Sequence, residues 1–406
     1  MKIKAVETFL MHAGAPHSTT IATNPTKESG NVWNARNWLF VRIHTDAGIS
    51  GIGECSGWPR VIETAVKDLA PLLIGQDPTH IERLWQRMMG AMMGHGVLGT
   101  VGAGAMSGID MALWDIKGKA LDTPVWNLLG GKVRDRIRVY GHAGTPERAL
   151  DLVSRGFTAI KTGGLSDIVA RVAAIRAAVG ADVDLMVDMH GPPWMTTKDA
   201  IILGRALEPY NLLFYEDPVA PENREGLRRV QNAVQIPIAA GERLSTIWGE
   251  RELIEQELVD VIQPDTGRAG GITQMRKIAA MAEAHFITVA PHSGSLGPVA
   301  EYAALHLLAA IPNALILERM EDDVSVREKV IIPAPKVIDG HIEVPNRPGL
   351  GVDMDEAVVA AHPSMGNVSV PGHPGDGAYA DGTWDEHVYF QSRTRRARSF
   401  SAGGED

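Results

Sequence analysis

The sequence has very little cysteine: Cys55 is the only one among 406 residues. One thiol cannot close an intramolecular disulfide, so the fold depends on its core and suits a reducing compartment. Long apolar runs are also missing, because no stretch approaches the roughly 20 residues of a membrane-spanning helix. The first residues, MKIKAVETFLMHAG, are too charged for a secretory signal. We therefore expect a cytoplasmic protein with no membrane partner.

Basic residues are fewer than acidic ones: the chain has 39 Lys and Arg and 49 Asp and Glu, which gives a formal net charge of −10 at pH 7. An acidic chain repels phosphate, so we expect no nucleic-acid partner. The C-terminal stretch RTRRARSFSAGGED belongs to a Gly-, Pro- and His-containing segment, residues 363–406, which we interpret as a mobile tail. The hydrophobic content of 45% is that of an ordinary globular protein.

The pattern of the chain changes at about residue 130. Before it, WLFVRIHTDAGISGIGE has two extended runs joined by a turn signal, and MSGIDMALWDIKGKAL has helical periodicity, which together predict an α+β domain over residues 1–130. Residues 14–33 have no period and indicate a long loop. We expect this loop, together with residues 88–99, to close over the barrel mouth as a lid, with His17, Trp33 and His95 as candidate substrate contacts.

Residues 131–325 alternate short apolar runs with helical stretches. The eight runs are IRVYGH, TAIK, DLMVDMH, LLFYED, PIAAGE, VDVIQPD, ITVAPH and ALILE. Eight strands joined by helices predict an α/β fold, a closed parallel (β/α)8 barrel of the TIM type. A doubly wound open sheet is the alternative.

From the second run onward, every run ends at or next to an ionisable residue, with separations of 23 to 28 residues, about one strand–helix unit. The seven residues are Lys161, Asp188, Glu216, Glu242, Asp265, His292 and Glu318. All strands of a barrel open at one face, so these groups are predicted to converge there. Each alone can be a polar strand end or a helix cap, but seven in register favour a site.

Asp188, Glu216 and Glu242 come from adjacent predicted strands. Three carboxylates held close together repel one another unless a cation neutralises them. Oxygen ligands suit a hard ion, so we predict a Mg²⁺ site, with Mn²⁺ as a substitute.

Asp265 and His292 lie on the next two strands and form a candidate acid–base pair. The carboxylate fixes the tautomer of the imidazole, and the other ring nitrogen takes a proton. Lys161 adds positive charge near the metal, and Glu318, provided it is protonated, hydrogen-bonds a substrate carboxylate as it becomes an enediolate. These residues predict proton abstraction next to a carboxylate, with the metal stabilising the enolate oxygen.

Five stretches on successive predicted strands resemble the enolase superfamily in its mandelate racemase-like subgroup: VDMHG, FYEDPVAPEN, AAGERL, IQPDTGRAGGIT and APHSGSLGP. GIDMALWDIKGKALDTPVWNLLGG resembles the cap-to-barrel junction of those enzymes. The resemblance extends from residue 1 to about residue 360 and is closest to the acid-sugar dehydratases of the galactonate type. It implies that residues 1–130 form an N-terminal α+β capping domain, which residues 326–362 return to complete. It also implies assembly into a homo-oligomer.

The resemblance also implies catalytic roles. Asp188 matches the metal ligand of the third strand, and His190 matches a general acid that protonates the departing hydroxyl. Residues two apart on a strand share a face, so both side chains can point into the site. His292, with Asp265 as its partner, matches the base that removes the α-proton. For His190 the alternative is a strand-end histidine that only bonds a neighbouring loop.

One position departs from the subgroup. Lys161 is followed by Thr162 and Gly163, where many members have Lys-x-Lys with a second base. This weighs against a racemase, although His190 could substitute. We predict a Mg²⁺-dependent carbon–oxygen lyase that dehydrates a sugar acid to a 2-keto-3-deoxy acid. The alternatives are a cycloisomerase of a sugar lactone or anhydro sugar acid, and a non-catalytic relative that binds a metal or ligand.

Overall fold

The computed structural model describes residues 1–14, 35–94, 98–164, 167–189, 194–294, 296–364 and 390–391. Several sequence predictions fall outside these ranges. They are the lid loop beyond Gly14, the lid contacts His17, Trp33 and His95, the general-acid candidate His190, and almost all of the tail.

The N-terminal part packs an antiparallel three-stranded sheet against helices. Its elements are β1 (Ile3–Gly14), β2 (Ala35–Thr45), β3 (Ser50–Cys55), α1 (Pro59–Leu73), α2 (Ile81–Met93), α3 (Gly99–Ala120) and α4 (Val125–Leu128). The strand order is β1-β2-β3, and the TDAG segment makes the turn between β2 and β3 as predicted. Helix α3 lies so close to β3 that a side chain at Gly53 would collide with the carbonyl of Gly108. Small residues on both elements permit this approach.

The second part alternates strands with helices. Its elements are β4 (Arg136–His142), α5 (Pro146–Ser154), β5 (Ala159–Gly163), α6 (Ile168–Val179), β6 (Asp184–Asp188), β7 (Trp194–Met195), α7 (Thr197–Leu207), β8 (Leu212–Glu216), α8 (Arg224–Ala233), β9 (Ile238–Ala240), α9 (Thr246–Glu255), β10 (Val261–Ile262), α10 (Gly271–Ala284), β11 (Thr288–Val289), α11 (Pro298–Ala310) and β12 (Leu317–Glu318).

Eight of these strands form a closed ring. The parallel neighbours run in the order β11-β10-β9-β8-β6-β5-β4, and β12 pairs with β4. A parallel bridge between Val289 and Ala314 joins the chain just before β12 to β11. The predicted (β/α)8 barrel is therefore confirmed, and the doubly wound open sheet is excluded.

Two stacked layers of residues face the barrel interior. The first, which we call the apolar floor, takes one residue from or beside each strand: Tyr140, Ala159, Met186, Phe214, Ala239, Val261, Ala290 and Ile316. Side chains alternate along a strand, so residues two positions further on belong to the next layer. This second set, which we call the polar layer, is His142, Lys161, Asp188, Glu216, Gly241, Gln263, His292 and Glu318. The alternation thus changes chemistry at the C-terminal end of the barrel, the face on which TIM-barrel sites lie.

The chain after the barrel contacts both the barrel strand β4, through residues 341–343, and the N-terminal sheet, through an antiparallel bridge between Pro363 and Met11. Its elements are β13 (Ile331–Ile332), β14 (Val337–Ile338), β15 (His341–Glu343), β16 (Asp353–Met354), α12 (Glu356–Ala361) and β17 (Phe390–Gln391). Arg42 of β2 makes ion pairs with Asp353 at 2.7 Å and with Glu356 at 2.9 Å. C-terminal residues therefore complete the capping domain, as predicted. Within the described ranges, no helix is both long and apolar enough to cross a membrane.

Candidate active site

All seven residues predicted from the strand ends are buried, with relative exposures between 0% and 9%. Four lie within barrel strands and three lie two or three residues beyond a strand, in the following order: Lys161 in β5, Asp188, Glu216 and Glu318 at the ends of β6, β8 and β12, then Glu242, Asp265 and His292 after β9, β10 and β11. An isolated parallel bridge between Asp265 and His292 extends the ladder past β10 and β11. The barrel thus brings these seven residues to one face.

Lys161 makes ion pairs with three carboxylates at this face. Its Nζ atom lies 3.0 and 2.9 Å from the two Glu216 oxygens, 2.8 Å from Glu318 Oε1 and 3.3 Å from Asp188 Oδ2. Although burial disfavours its charge, the carboxylates of Glu216 and Glu318 hold the pKa of Lys161 well above its ordinary value. Lys161 is therefore a fixed positive charge at the centre of an acidic cluster.

Asp188, Glu216 and Glu242 are the proposed metal ligands, and their charges fit that role. Asp188 pairs with Glu216 in the register of β6 and β8. Burial and the nearby Asp188 carboxylate raise the pKa of Glu216 well above its ordinary value, although Lys161 opposes this, and Glu242 adds further repulsion. A hard divalent cation relieves such repulsion, and carboxylate oxygens are the ligands that Mg²⁺ accepts. By charge and ligand type, these residues fit Mg²⁺.

The carboxylates are not gathered around one point in this arrangement. In the part of the chain that the structure describes, no three Asp, Glu, His or Cys side chains are placed to hold a metal ion together. Cationic side chains contact the same carboxylates: Lys161 contacts Asp188 and Glu216, while His292 Nε2 and Arg243 Nη2 lie 3.0 and 2.9 Å from the two Glu242 oxygens.

The predicted acid–base pair is assembled. His292 Nδ1 lies 2.7 Å from Asp265 Oδ2, and Asp265 Oδ1 accepts a hydrogen bond from the Gly267 amide at 2.8 Å. The other ring nitrogen, Nε2, faces Glu242 at 3.0 Å and Glu318 at 3.8 Å. Although burial disfavours its charge, the Glu242 and Glu318 carboxylates raise the pKa of His292 to about 10. Asp265 thus fixes one nitrogen and leaves the other directed into the acidic cluster.

The contact predicted for Glu318 was conditional on its protonation, and its surroundings favour the carboxylate. Its Oε1 atom lies 2.8 Å from Lys161 Nζ and 2.9 Å from His142 Nε2, and its Oε2 atom accepts from the Ser293 amide at 2.5 Å. Although burial favours the protonated acid, Lys161 and His292 hold the pKa of Glu318 well below its ordinary value. The protonated form that the predicted enediolate contact requires is therefore disfavoured in this arrangement, where Glu318 acts as a hydrogen-bond acceptor.

Two further residues of the site were not predicted from the sequence. His142 ends β4, lies opposite Lys161 in the register of β4 and β5, and contacts Glu318. The first run, IRVYGH, ends in this histidine, so His142 follows the same strand-end pattern as the seven predicted residues. Gly294 is the second: a methyl group there would lie 3.0 Å from His292 Nε2. No sequence pattern marks this glycine, since its importance is a distance to another side chain.

Comparisons with known proteins agree with this architecture. Residues 14–130 match the model of the mandelate racemase / muconate lactonizing enzyme N-terminal domain, and residues 145–358 match the enolase C-terminal domain-like model. A D-galactonate dehydratase of Ralstonia nicotianae is 40% identical over 350 residues, which cover 79% of this chain and 90% of that protein. A D-galactonate dehydratase of Verminephrobacter eiseniae is 40% identical over 348 residues, with the same coverage of 79% and 90%.

A solved structure is similar over most of the chain. The 3,6-anhydro-D-galactonate cycloisomerase from Zobellia galactanivorans superposes with a TM-score of 0.80 at 33% identity, covering 89% of this chain and 99% of that one.

Proposed function

The chain belongs to the mandelate racemase / muconate lactonizing enzyme family of the enolase superfamily, and from this premise we propose that it is a Mg²⁺-dependent dehydratase of an aldonate or a related sugar acid. The predicted enzyme class, a hydro-lyase acting on a sugar acid, is confirmed by the D-galactonate dehydratase relatives. The product is a 2-keto-3-deoxy acid, because loss of the β-hydroxyl from an enediolate leaves an enol that becomes the ketone.

The observation that carries the proposal is the Asp265–His292 pair beside the acidic cluster. To act as the base, His292 must be neutral, and a cation held by Glu242 would offset the carboxylate charge that raises the pKa of His292. Neutral His292 Nε2 then removes the proton α to the substrate carboxylate, and Asp265, 2.7 Å from Nδ1, holds the ring and steadies the imidazolium that forms. Lys161 keeps a positive charge at the side of the site where its Nζ atom contacts Asp188, Glu216 and Glu318. That charge favours the anionic substrate and the enediolate into which it is converted.

Asp188, Glu216 and Glu242 would hold the Mg²⁺ that members of this superfamily generally use. Bound there, the ion supplies positive charge that lowers the energy of the enediolate; Mn²⁺ is a chemically reasonable substitute. Glu318 contributes by holding Lys161 and the Ser293 amide, and it donates a hydrogen bond to the substrate only when protonated.

His190 completes the proposal as the general acid. It follows Asp188, a residue of the polar layer, by two positions, and it would give its proton to the departing β-hydroxyl. A cytoplasmic location and assembly into a homo-oligomer remain predictions from the sequence.

The test is a substrate screen. The purified full-length chain with Mg²⁺ is incubated with hexonates, pentonates and hexarates, including D-galactonate, and 2-keto acids are detected. We expect at least one product that is lighter than its substrate by the mass of one water molecule. The absence of any keto acid across the panel would contradict the dehydratase proposal.

A second candidate function is cycloisomerisation, which the 33% identity to the 3,6-anhydro-D-galactonate cycloisomerase favours. In that reaction the expelled group stays tethered, so product and substrate have equal mass. Adding 3,6-anhydro-D-galactonate and sugar lactones to the screen separates the two reactions by mass spectrometry. A third candidate, a non-catalytic relative, predicts no product from either group of substrates. The Asp265–His292 pair argues against it, because a metal cage requires neither residue.

A further inference from the structure

The two loops that carry the base pair contact the same short segment of the capping domain. Asp265 and His292 lie at the starts of the loops after β10 and β11. Both loops contact residues 54–56 at the end of β3. A strand from the other domain therefore touches both halves of the proposed base.

Glu54 makes the contact with the His292 loop. Its carboxylate accepts hydrogen bonds from the amides of Val299 at 3.1 Å and Ala300 at 3.0 Å, and from the amide of Gly297. These are the first backbone donors of α11, which have no partner within the helix. A buried carboxylate there satisfies them and complements the positive end of the helix dipole. Glu54 is 0% exposed, so no water competes.

Gly297 packs so closely against Glu54 that this contact has no room for a larger residue. A methyl group at Gly297 would lie 2.9 and 3.1 Å from the two Glu54 oxygens. Between His292 and Gly297, the Ser293 amide donates to Glu318 at 2.5 Å and the Leu296 carbonyl accepts from Arg327 at 2.9 Å. The loop is thus held at Gly297 by Glu54, at Ser293 by Glu318 of the barrel and at Leu296 by Arg327 of the segment after the barrel.

Ser56 makes the corresponding contact with the Asp265 loop. The Ser56 amide donates to the Gly267 carbonyl at 3.0 Å, and its hydroxyl accepts from Arg268 Nε at 3.1 Å. Arg268 Nε in turn lies 3.4 Å from Asp265 Oδ2. The end of β3 therefore holds the two loops in fixed relation to each other.

We propose that Glu54 is a positioning residue for the base: its carboxylate fixes the start of α11 and so sets where His292 stands relative to Asp265 and the substrate. This inference rests on the function proposed above. It assigns to the capping domain a part in proton abstraction that is separate from any contact with the substrate.

The test compares Glu54→Gln with a matched control, Asp110→Asn, in the full-length chain. Asp110 of α3 is likewise 0% exposed and accepts from the Thr273 amide at 3.0 Å, near the start of α10. Burial raises the pKa of both Glu54 and Asp110 to about 7, so burial disfavours the charged form of the two acids to a similar extent. They differ in that Glu54 borders the loop that carries His292, whereas Asp110 contacts the start of α10, which follows the loop that carries Asp265.

We expect Glu54→Gln to lower kcat by about ten- to a hundred-fold with KM changed less than about threefold, because a displacement on the order of 1 Å has that effect on a proton transfer. Hydrogen–deuterium exchange, resolved by mass spectrometry with fragmentation, should show faster exchange of the Ser293 amide, which Glu54 does not touch. Asp110→Asn should leave the Ser293 exchange unchanged.

Equal Ser293 exchange in Glu54→Gln and the wild type, or an equal increase of Ser293 exchange in Asp110→Asn, would overturn the proposal. If the wild type turns over no substrate, the proposed function fails, and the Ser293 amide alone decides the positioning claim. If Glu54→Gln does not fold, Gly297→Ala replaces it, since the added methyl group displaces the Glu54 carboxylate without removing it. The same pattern of faster Ser293 exchange is then expected.

Discussion

The apolar floor and the polar layer are built from the same eight strands, two residues apart, and they have opposite chemistry. Each floor residue is at most 3% exposed and belongs to one cluster of buried apolar side chains. The polar layer is nearly as buried, yet it holds a lysine, two histidines and three carboxylates, whose burial costs free energy unless each charge has a partner. The apolar floor therefore stabilises the fold, whereas the polar layer costs stability because it holds buried charges in place.

Because of this difference, substitutions in the two layers should change different measured quantities. A change in the floor should alter the free energy of unfolding and leave the chemistry of the folded enzyme nearly intact. A change in the polar layer should do the reverse.

The largest effect is expected from Glu216→Gln in the polar layer. Removing one of the three proposed ligands should lower the Mg²⁺-dependent turnover by about a thousand-fold or more, since a metal ion supplies several kcal/mol of transition-state stabilisation. Steady-state kinetics with varied Mg²⁺ measures the loss, and circular dichroism without Mg²⁺ should show an unchanged fold. Retention of turnover would remove Glu216 from the metal site.

The next effect is expected from Phe214→Ala in the floor, directly below Glu216 on β8. Phe214 is 0% exposed, and truncating such a side chain leaves a cavity that costs about 3–5 kcal/mol of unfolding free energy. Denaturant unfolding measures this loss. The kcat of the fraction that remains folded should stay within a few fold of the wild type. A large fall in kcat with little change in stability would contradict the division between the layers.

Two buried histidines sharpen the comparison further. Carboxylates raise the pKa of His292 to about 10, whereas burial lowers the pKa of His306 to about 4. His306 accepts from the Trp126 amide at 3.1 Å and donates to the Leu350 carbonyl at 3.0 Å, so it is held neutral. A buried imidazole is charged only where anions surround it.

The stability consequence of His306 has a definite sign. Below the unfolded pKa of about 6.5, the unfolded chain binds a proton that folded His306 does not bind until about pH 4. The unfolding free energy of the wild type should therefore fall relative to His306→Gln by about 2 kcal/mol between pH 7 and pH 5. Denaturant unfolding of both proteins at several pH values measures this difference. A difference independent of pH would show that His306 is not held neutral.

The smallest effect is expected from Gly294→Ala. The added methyl group would lie 3.0 Å from His292 Nε2 and 3.7 Å from both Glu318 oxygens, so it crowds the nitrogen that takes the proton. We expect kcat/KM to fall by about tenfold with no loss of stability, because the misplacement is a few tenths of an ångström. Unchanged kinetics would mean that substrate approaches His292 from another side.

The barrel and most of its site could be predicted because they depend on local spacing. The unit length that separates Lys161, Asp188 and Glu216 follows from one strand, one helix and two loops, and parallel strands then bring the ends together. The ligand type of the acids and the pairing of Asp265 with His292 follow from residue chemistry and strand order.

The charge state of Glu318 could not be predicted in this way. It depends on Lys161, His142 and His292 from three other strands, and their distances are set by packing. Glu54 was missed because its partners lie 243 to 246 residues further along the chain, in the other domain. Such contacts leave no periodic signal in either segment.

The most direct test of the account is solvent-deuterium exchange at the α-carbon of the substrate, followed in the wild type, His292→Asn and His190→Asn with Mg²⁺. With His292 as the base and His190 as the acid, exchange occurs in the wild type, persists in His190→Asn while product formation is lost, and disappears in His292→Asn. Exchange that continues in His292→Asn would place the base elsewhere and contradict the central claim.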